Sequence, residues 1–169
     1  MKNTELILNE DGSVYHLALL PNEVSDTIIT VGDPNRVATV SQFFDSIELK
    51  REKREFVTQT GTLKGKRITV MSTGIGTDNV DIVINELHAL KVQADSLGKP
   101  FNIIRLGTSG TVQRAMPVDT ILISEMALGF DGLLHFYEGI KQDDQIEEFL
   151  NLNEALRVLP RPYLAKADE

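Results

Sequence analysis

Two arginine-bearing segments of this chain have the residue types that hold a phosphate-sized anion. The first, 32–36 (GDPNR), directly follows the apolar run 27–31 (TIITV). A β-branched run that stops at Gly, Asp and Pro is typical of a strand turning into a helix, with the Asp as cap and the Pro in the first position. Gly32 lets a ligand approach the backbone, the helix start offers free N–H groups, and Arg36 adds a full positive charge. The segment therefore predicts an anion site, with phosphate as the first candidate.

The second segment, 105–110 (RLGTSG), carries the same chemistry at the end of another apolar run, 102–106. Arg105 lies inside that run, where a charged side chain needs a partner. That partner is either a bound anion or an ion pair within the fold, and Thr108 fits either a binding loop or an ordinary strand-end turn. Ser109 has no histidine or acidic partner recognisable from spacing, which disfavours a serine hydrolase.

Composition narrows the remaining classes. The chain has 169 residues, 41% hydrophobic and 25% charged, which is typical of a globular domain that buries about 70% of its unfolded surface. Its net charge of −8 argues against a nucleic-acid-binding protein but not against a site for one small anion. The absence of cysteine excludes disulfides and thiolate metal sites, and the three histidines lack a metal-binding spacing. The sequence has no apolar stretch long enough for a signal peptide or a membrane span. We therefore expect a cytoplasmic protein without membrane contact.

The elements that must position these residues alternate between strands and helices. In chain order, the predicted elements are strand 28–31, helix 34–44, the hairpin 55–62 and 66–72, helix 79–92, strands 102–106 and 120–124, a short helix at 146–150 and an extended segment at 161–163. The alternation favours a single α/β domain over 1–169 with helices on both faces of a mixed, largely parallel sheet. On the second helix, the apolar stripe of Val80, Val83, Leu87 and Leu90 is the predicted core face.

Six motifs taken in order resemble the nucleoside phosphorylase family, and its uridine phosphorylase branch most closely. The motifs are 16–19 (HLAL), 32–36 (GDPNR), 54–56 (REF), 72–78 (STGIGTD), 105–110 (RLGTSG), and Asp131-Gly132 with His135-Phe136. One such motif is a weak signal, whereas the ordered set from about 15 to 137 is specific. Family members are longer, so the resemblance implies an N-terminal portion that lacks the C-terminal third. The family's base-recognition residues belong to that third, so the motifs do not say which nucleoside is used.

The resemblance implies a three-layer α/β sandwich around a mixed sheet. It implies a pentosyltransferase that cleaves the N-glycosidic bond of a nucleoside with inorganic phosphate as co-substrate, giving ribose 1-phosphate and a free base. Neither a metal nor an organic cofactor takes part in that chemistry. The family forms homo-oligomers, dimers or hexamers, in which two active sites share residues across a dimer interface.

The resemblance also implies roles for particular residues. Gly32 would present its backbone N–H to phosphate, and Arg36 and Arg105 would hold phosphate oxygens. Thr108 would donate its hydroxyl to phosphate and contact the sugar, which makes Arg105 and Thr108 the expected catalytic pair. Arg54 would reach the phosphate of the neighbouring subunit.

Two further residues complete the expected set. His16 would cross the dimer interface to the ribose 5′-hydroxyl, although a lone histidine beside apolar residues is more often structural. Glu55 lies where some relatives bind a monovalent cation between subunits. Apart from the family motif, Arg54 is one member of the charged run 50–55, which is otherwise typical of solvated surface.

Two alternative functions stay open from the sequence. The chain could be a phosphate-binding module without turnover, because the base and ribose contacts of the family lie beyond its motifs; we expect little turnover from these 169 residues alone. It could also be a nucleosidase of the same superfamily. The three arginines expected around phosphate count against that second alternative, because a water nucleophile needs no such cluster of positive charge.

Overall fold

The computed structural model describes residues 7–138, 148, 151 and 161–168, and the chain divides into two compact units, Met1–Ser109 and Gly110–Glu169. The elements of the first unit are β1 (Thr27–Val31), α1 (Pro34–Ser41), β2 (Ser46–Lys53), β3 (Phe56–Leu63), β4 (Lys66–Ser72), α2 (Thr77–Gln93) and β5 (Asn102–Leu106). The second unit contains β6 (Met126–Gly129) and β7 (Tyr163–Lys166). The single domain expected over 1–169 stays a prediction.

The first unit is built on a five-stranded mixed sheet in the order β2-β3-β4-β1-β5. Strand β1 runs parallel to β4 on one side and to β5 on the other, while β3 is antiparallel to both β4 and β2. The predicted α/β class with a mixed sheet is confirmed. Because β4, β1 and β5 are parallel neighbours, their carboxyl ends meet at one edge of the sheet.

The two helices cover opposite faces of this sheet. Ile28 packs in a buried cluster with Leu87 and Leu90 of α2, whereas its neighbour Ile29 packs with Val37 of α1. Consecutive strand residues point to opposite faces, so the arrangement is helix, sheet, helix.

The predicted core stripe of α2 is right at three of its four positions. Val83, Leu87 and Leu90 are buried, whereas Val80, in the first turn, is 37% exposed. No helix within the described parts of the chain combines the length and apolar character needed to cross a lipid bilayer.

Most of the predicted elements are confirmed, and the exceptions are instructive. The strand predicted at 120–124 is wrong: the segment is irregular and exposed, and the strand of this region is β6. Strand β2 was missed because its charged residues, at 50–53, were interpreted as solvated surface. Edge strands tolerate such residues because their backbone pairs on one side only.

Helix α1 ends at Ser41 rather than Phe44, and the helix predicted at 146–150 lies almost entirely outside the described residues.

The second unit contains an antiparallel pair in which Gly129 of β6 faces Tyr163 of β7. A side chain at Gly129 would overlap the Tyr163 ring. The Tyr163 hydroxyl donates to the Asp131 carboxylate, with both oxygens at 2.7 Å. Burial, and then this hydrogen bond, raise the pKa of Tyr163 to about 12, and the same bond lowers the pKa of Asp131.

Gly61 in β3 yields a test of the sheet packing. A Cβ at this position would overlap the backbone oxygen of Ser46 and lie 2.8 Å from Cδ2 of Phe44. We expect Gly61→Ala to lower the free energy of unfolding by about 1–3 kcal/mol, measured by urea denaturation. Gly98→Ala is the control, because a Cβ there meets nothing within 4 Å. Equal stabilities of the two variants would contradict this packing.

Candidate functional site

The carboxyl ends of the three parallel strands form one cluster of loops. Gly32 follows β1, Thr73 follows β4, and Arg105 is the penultimate residue of β5. In parallel α/β sheets, ligands bind at this edge, because helix N-termini and loops converge there. The two arginine-bearing segments of the sequence are therefore brought to the same edge by the order β4-β1-β5.

The guanidinium of Arg105 lies between the loops that follow β1 and β4. Its Nη1 donates to Oγ1 of Thr73 at 3.1 Å. Its Nη2 lies 3.3 Å from the position that a Cβ at Gly32 would occupy. A side chain at position 32 would therefore press on the guanidinium, and the glycine leaves both the arginine and its own backbone accessible.

Thr73 is the residue of this site that the sequence analysis missed. It is buried, its backbone N–H donates to the Val31 carbonyl at 2.8 Å, and its hydroxyl oxygen accepts from Arg105. The same hydroxyl lies 3.2 Å from the Gly74 carbonyl and 3.3 Å from that of Val31, so its proton has an acceptor. Its position directly after a predicted strand was visible in the sequence, but only the strand order places it beside Arg105.

Helix α1 begins as the sequence predicts. The Asp33 carboxylate accepts from the backbone N–H of Asn35 at 2.9 Å, and Pro34 occupies the first helical position. Arg36 is half-buried in the first turn of this helix. Its side chain makes no hydrogen bond or ion pair with any residue that the structure describes.

The turn between β2 and β3 lies at the same edge of the sheet. Ser72, the last residue of β4, donates its hydroxyl to the Glu55 carbonyl at 2.6 Å and accepts from the Val57 N–H at 2.8 Å. The Glu55 side chain packs against Gly74, where an added Cβ would lie 2.9 Å from its Cγ. Arg54 is exposed on this turn with a left-handed φ of 57°.

His16 is held by a residue that the sequence analysis did not single out. Its Nδ1 lies 2.8 Å from Oε1 of Glu86, and its ring meets that of Phe56 edge-on with centroids 6.4 Å apart. Glu86 lies on α2 between Val83 and Leu87, on the buried face. A charged residue on an apolar stripe needs a partner, and that signal was present in the sequence.

Thr108 lies three residues after Arg105 on an exposed loop, and its side chain makes no hydrogen bond within the described part of the chain. The structure thus places the Arg105 guanidinium beside Gly32 and places Arg36 on the helix that Gly32 precedes. It places Arg54 at the same sheet edge. It shows no contact of Thr108 or His16 with the Arg105 guanidinium.

Chemically, the cluster suits an oxyanion. A planar guanidinium offers paired donors, and Arg36 and Arg54 lie on elements that begin at the same edge of the sheet. The free N–H groups that the sequence predicts at the start of α1 are absent from its first turn, because Pro34 has no N–H and those of Asn35 and Arg36 bond to Asp33. Within the ranges that the structure describes, no three His, Asp or Glu side chains gather as ligands for a metal ion.

Comparisons with known proteins identify the family of this chain. Residues 26–169 match the model of the phosphorylase superfamily. A uridine phosphorylase of Thermococcus kodakarensis is 35% identical over 123 residues, which is 73% of this chain and 42% of the relative. A DeoD-type purine nucleoside phosphorylase of Exiguobacterium sp. is 34% identical over 113 residues, which is 66% of this chain and 45% of the relative. The crystal structure of a Trypanosoma brucei nucleoside phosphorylase, described as showing uridine phosphorylase activity, covers 96% of this chain and 58% of its own, with a TM-score of 0.83 and 33% identity.

This chain belongs to the phosphorylase superfamily, since the family model matches most of its length. The resemblance to nucleoside phosphorylases that its motifs carry is confirmed. The chain spans less than half the length of the curated relatives it matches.

Proposed function

We propose that this chain carries the phosphate half of the active site of a uridine-phosphorylase-like nucleoside phosphorylase. The reaction is cleavage of the N-glycosidic bond by inorganic phosphate, which yields ribose 1-phosphate and a free base. The observation that carries the proposal is the Arg105 guanidinium, which is hydrogen-bonded to Thr73 and lies beside Gly32 at the carboxyl ends of parallel strands. Family membership supports it independently.

The proposed roles follow from the charge that the reaction develops. Breaking the bond between C1′ and the base builds positive charge on the ribose, as in glycoside hydrolysis. A phosphate dianion beside C1′ stabilises that charge and is also the nucleophile, so the protein contributes positioning and electrostatics. Arg105 and Arg36 hold phosphate oxygens, and the Gly32 N–H donates a further hydrogen bond to phosphate. Thr108 donates its hydroxyl to phosphate and contacts the sugar.

The remaining candidates belong to the rim of this site. Arg54 is exposed on a turn at the same sheet edge, which suits a contact with the phosphate of a second copy of the chain in a homo-oligomer. His16 contacts a ribose hydroxyl, and Glu55 is a candidate ligand for a monovalent cation. The partners are a nucleoside and phosphate, with no organic cofactor.

The first test measures phosphate binding by calorimetry. The planar guanidinium of arginine donates to two phosphate oxygens at once, whereas lysine keeps the charge and lacks this pair of donors. We expect Arg105→Lys to weaken phosphate binding about tenfold or more, from about 1.5–3 kcal/mol per charged hydrogen bond.

Arg67→Lys is the matched control for this test. Arg67 lies at the amino end of β4, and its Nε donates to the Glu48 carboxylate at 2.8 Å. Its replacement by lysine also removes a guanidinium, but at the opposite end of the strand from the candidate site. We expect its phosphate affinity to equal that of the parent chain. An Arg105→Lys variant with undiminished affinity would refute the assignment of Arg105.

Thr73→Val tests whether the threonine orients the Arg105 guanidinium. The substitution keeps the shape and removes the hydroxyl. We expect phosphate affinity to fall by about two- to tenfold, less than for a direct phosphate contact, because Thr73 acts only by orienting Arg105. Adding Thr73→Val to Arg105→Lys should cost less than it does in the parent chain, because the two side chains act together. Thr60→Val, at another buried threonine, controls for general loss of stability. Fully additive effects would contradict the coupling.

The reaction class is tested by following uridine and inosine absorbance with and without phosphate. Loss of nucleoside that depends on phosphate supports the proposed phosphorylase. Phosphate binding with no turnover supports the second candidate, a binding module, and turnover that ignores phosphate supports a nucleosidase.

A further inference from the structure

Glu86 is a buried carboxylate that serves one short segment of the chain. It is 6% exposed on the core face of α2. Its Oε1 accepts from the backbone N–H of His16 and its Oε2 from that of Leu17, both at 2.8 Å. Among the described residues no lysine or arginine pairs with it, so its hydrogen bonds go to the segment around His16. A buried charge that binds one loop in this way fixes that loop in place.

The same carboxylate determines which nitrogen of His16 carries the proton. Oε1 of Glu86 lies 2.8 Å from Nδ1 of His16. An ionised carboxylate only accepts hydrogen bonds, and both oxygens of Glu86 already accept from backbone N–H groups, so Nδ1 must be the donor. In the neutral ring, Nε2 then holds a lone pair and is an acceptor.

The ring is also held in one orientation. Leu17 is buried in the core, and the Nζ of Lys53 donates to the Tyr15 carbonyl. The Tyr15 ring meets the His16 ring edge-on at 4.9 Å, and Phe56 lies on another side. Nevertheless 27% of the His16 side chain stays exposed. A ring fixed by packing and a hydrogen bond, with one nitrogen left without a partner in the described part of the chain, is pre-organised for a ligand.

We propose that Glu86 is a positioning residue that holds His16 in the Nδ1–H tautomer and so presents Nε2 as a hydrogen-bond acceptor for a hydroxyl group. Under the proposed function, on which this last step rests, the hydroxyl belongs to the ribose of the nucleoside. The hydroxyl donates a hydrogen bond to Nε2 and keeps its proton.

The tautomer is tested in the ligand-free chain by 15N NMR of the imidazoles. The chain has three histidines, and a His16→Phe variant assigns the signals of His16. At a pH where the ring is neutral, we expect a protonated Nδ1 and an unprotonated Nε2, the reverse of the tautomer that free histidine favours. Glu86→Gln places an amide NH₂ where one oxygen was, and we expect it to shift His16 towards the Nε2–H form.

Glu23→Gln is the matched control. Glu23 is also a carboxylate that accepts a loop N–H, that of Leu20 at 2.8 Å, but it is paired with Arg51 rather than a histidine. We expect this variant to leave the His16 tautomer unchanged. An Nε2–H tautomer in the parent chain overturns the proposal, whether or not Glu86→Gln folds.

The role of His16 towards a ribose hydroxyl is tested by comparing the binding of uridine and 5′-deoxyuridine by calorimetry in the presence of phosphate. We expect Glu86→Gln to weaken uridine binding about tenfold and to leave 5′-deoxyuridine binding unchanged, because only uridine carries the hydroxyl that Nε2 accepts. Equal losses for both ligands would overturn the role towards the hydroxyl. Absence of uridine binding in the parent chain would overturn the role towards the ribose hydroxyl, whereas the proposed phosphate half of the site is tested separately by Arg105→Lys and the tautomer by NMR.

Discussion

The candidate site depends on the hydrogen bond between the Arg105 guanidinium and the Thr73 hydroxyl. A guanidinium near the end of β5 has many rotamers, and its position beside Gly32 follows from having a fixed acceptor on the neighbouring loop. That acceptor is fixed in turn, because Thr73 is buried and its N–H is bonded to the end of β1. The charge that would bind an oxyanion is therefore positioned before any ligand arrives, which is how a protein gains affinity without reordering itself.

The mixed sheet explains how residues that are far apart in the sequence reach one edge. Parallel pairing of β1 with β4 and β5 aligns three strand ends. Because β3 is antiparallel to β4, the turn of Arg54 and Glu55 between β2 and β3 lies beside them. Ser72 connects the two parts through its hydroxyl, which bonds to the backbone on both sides of Phe56. The strands thus bring the Arg105 guanidinium, the Gly32 loop and the Glu55 side chain to a common edge.

A second buried group, Glu86, organises the segment around His16 by the same principle. In both places a buried polar side chain hydrogen-bonds to a second side chain, that of Arg105 or His16, and so fixes its direction. In both places the polar group is buried, so a substitution that leaves donors unpaired costs more than the bond itself contributes. The orientations of Arg105 and His16 therefore depend on Thr73 and Glu86.

The sequence by itself determined the local structure around the site. β-Branched runs, the Asp-Pro helix start and the apolar spacing of α2 depend on neighbours within a few residues, so they identified β1, the start of α1, the β3–β4 hairpin, α2 and β5. The ordered motifs identified the family. The sequence misjudged 120–124 and overlooked β2, because strand formation depends on the partner strand as much as on the residues themselves. Only the tertiary structure decided that Thr73 meets Arg105 and that Glu86 meets His16, because pairs 32 and 70 residues apart are set by strand order and helix packing.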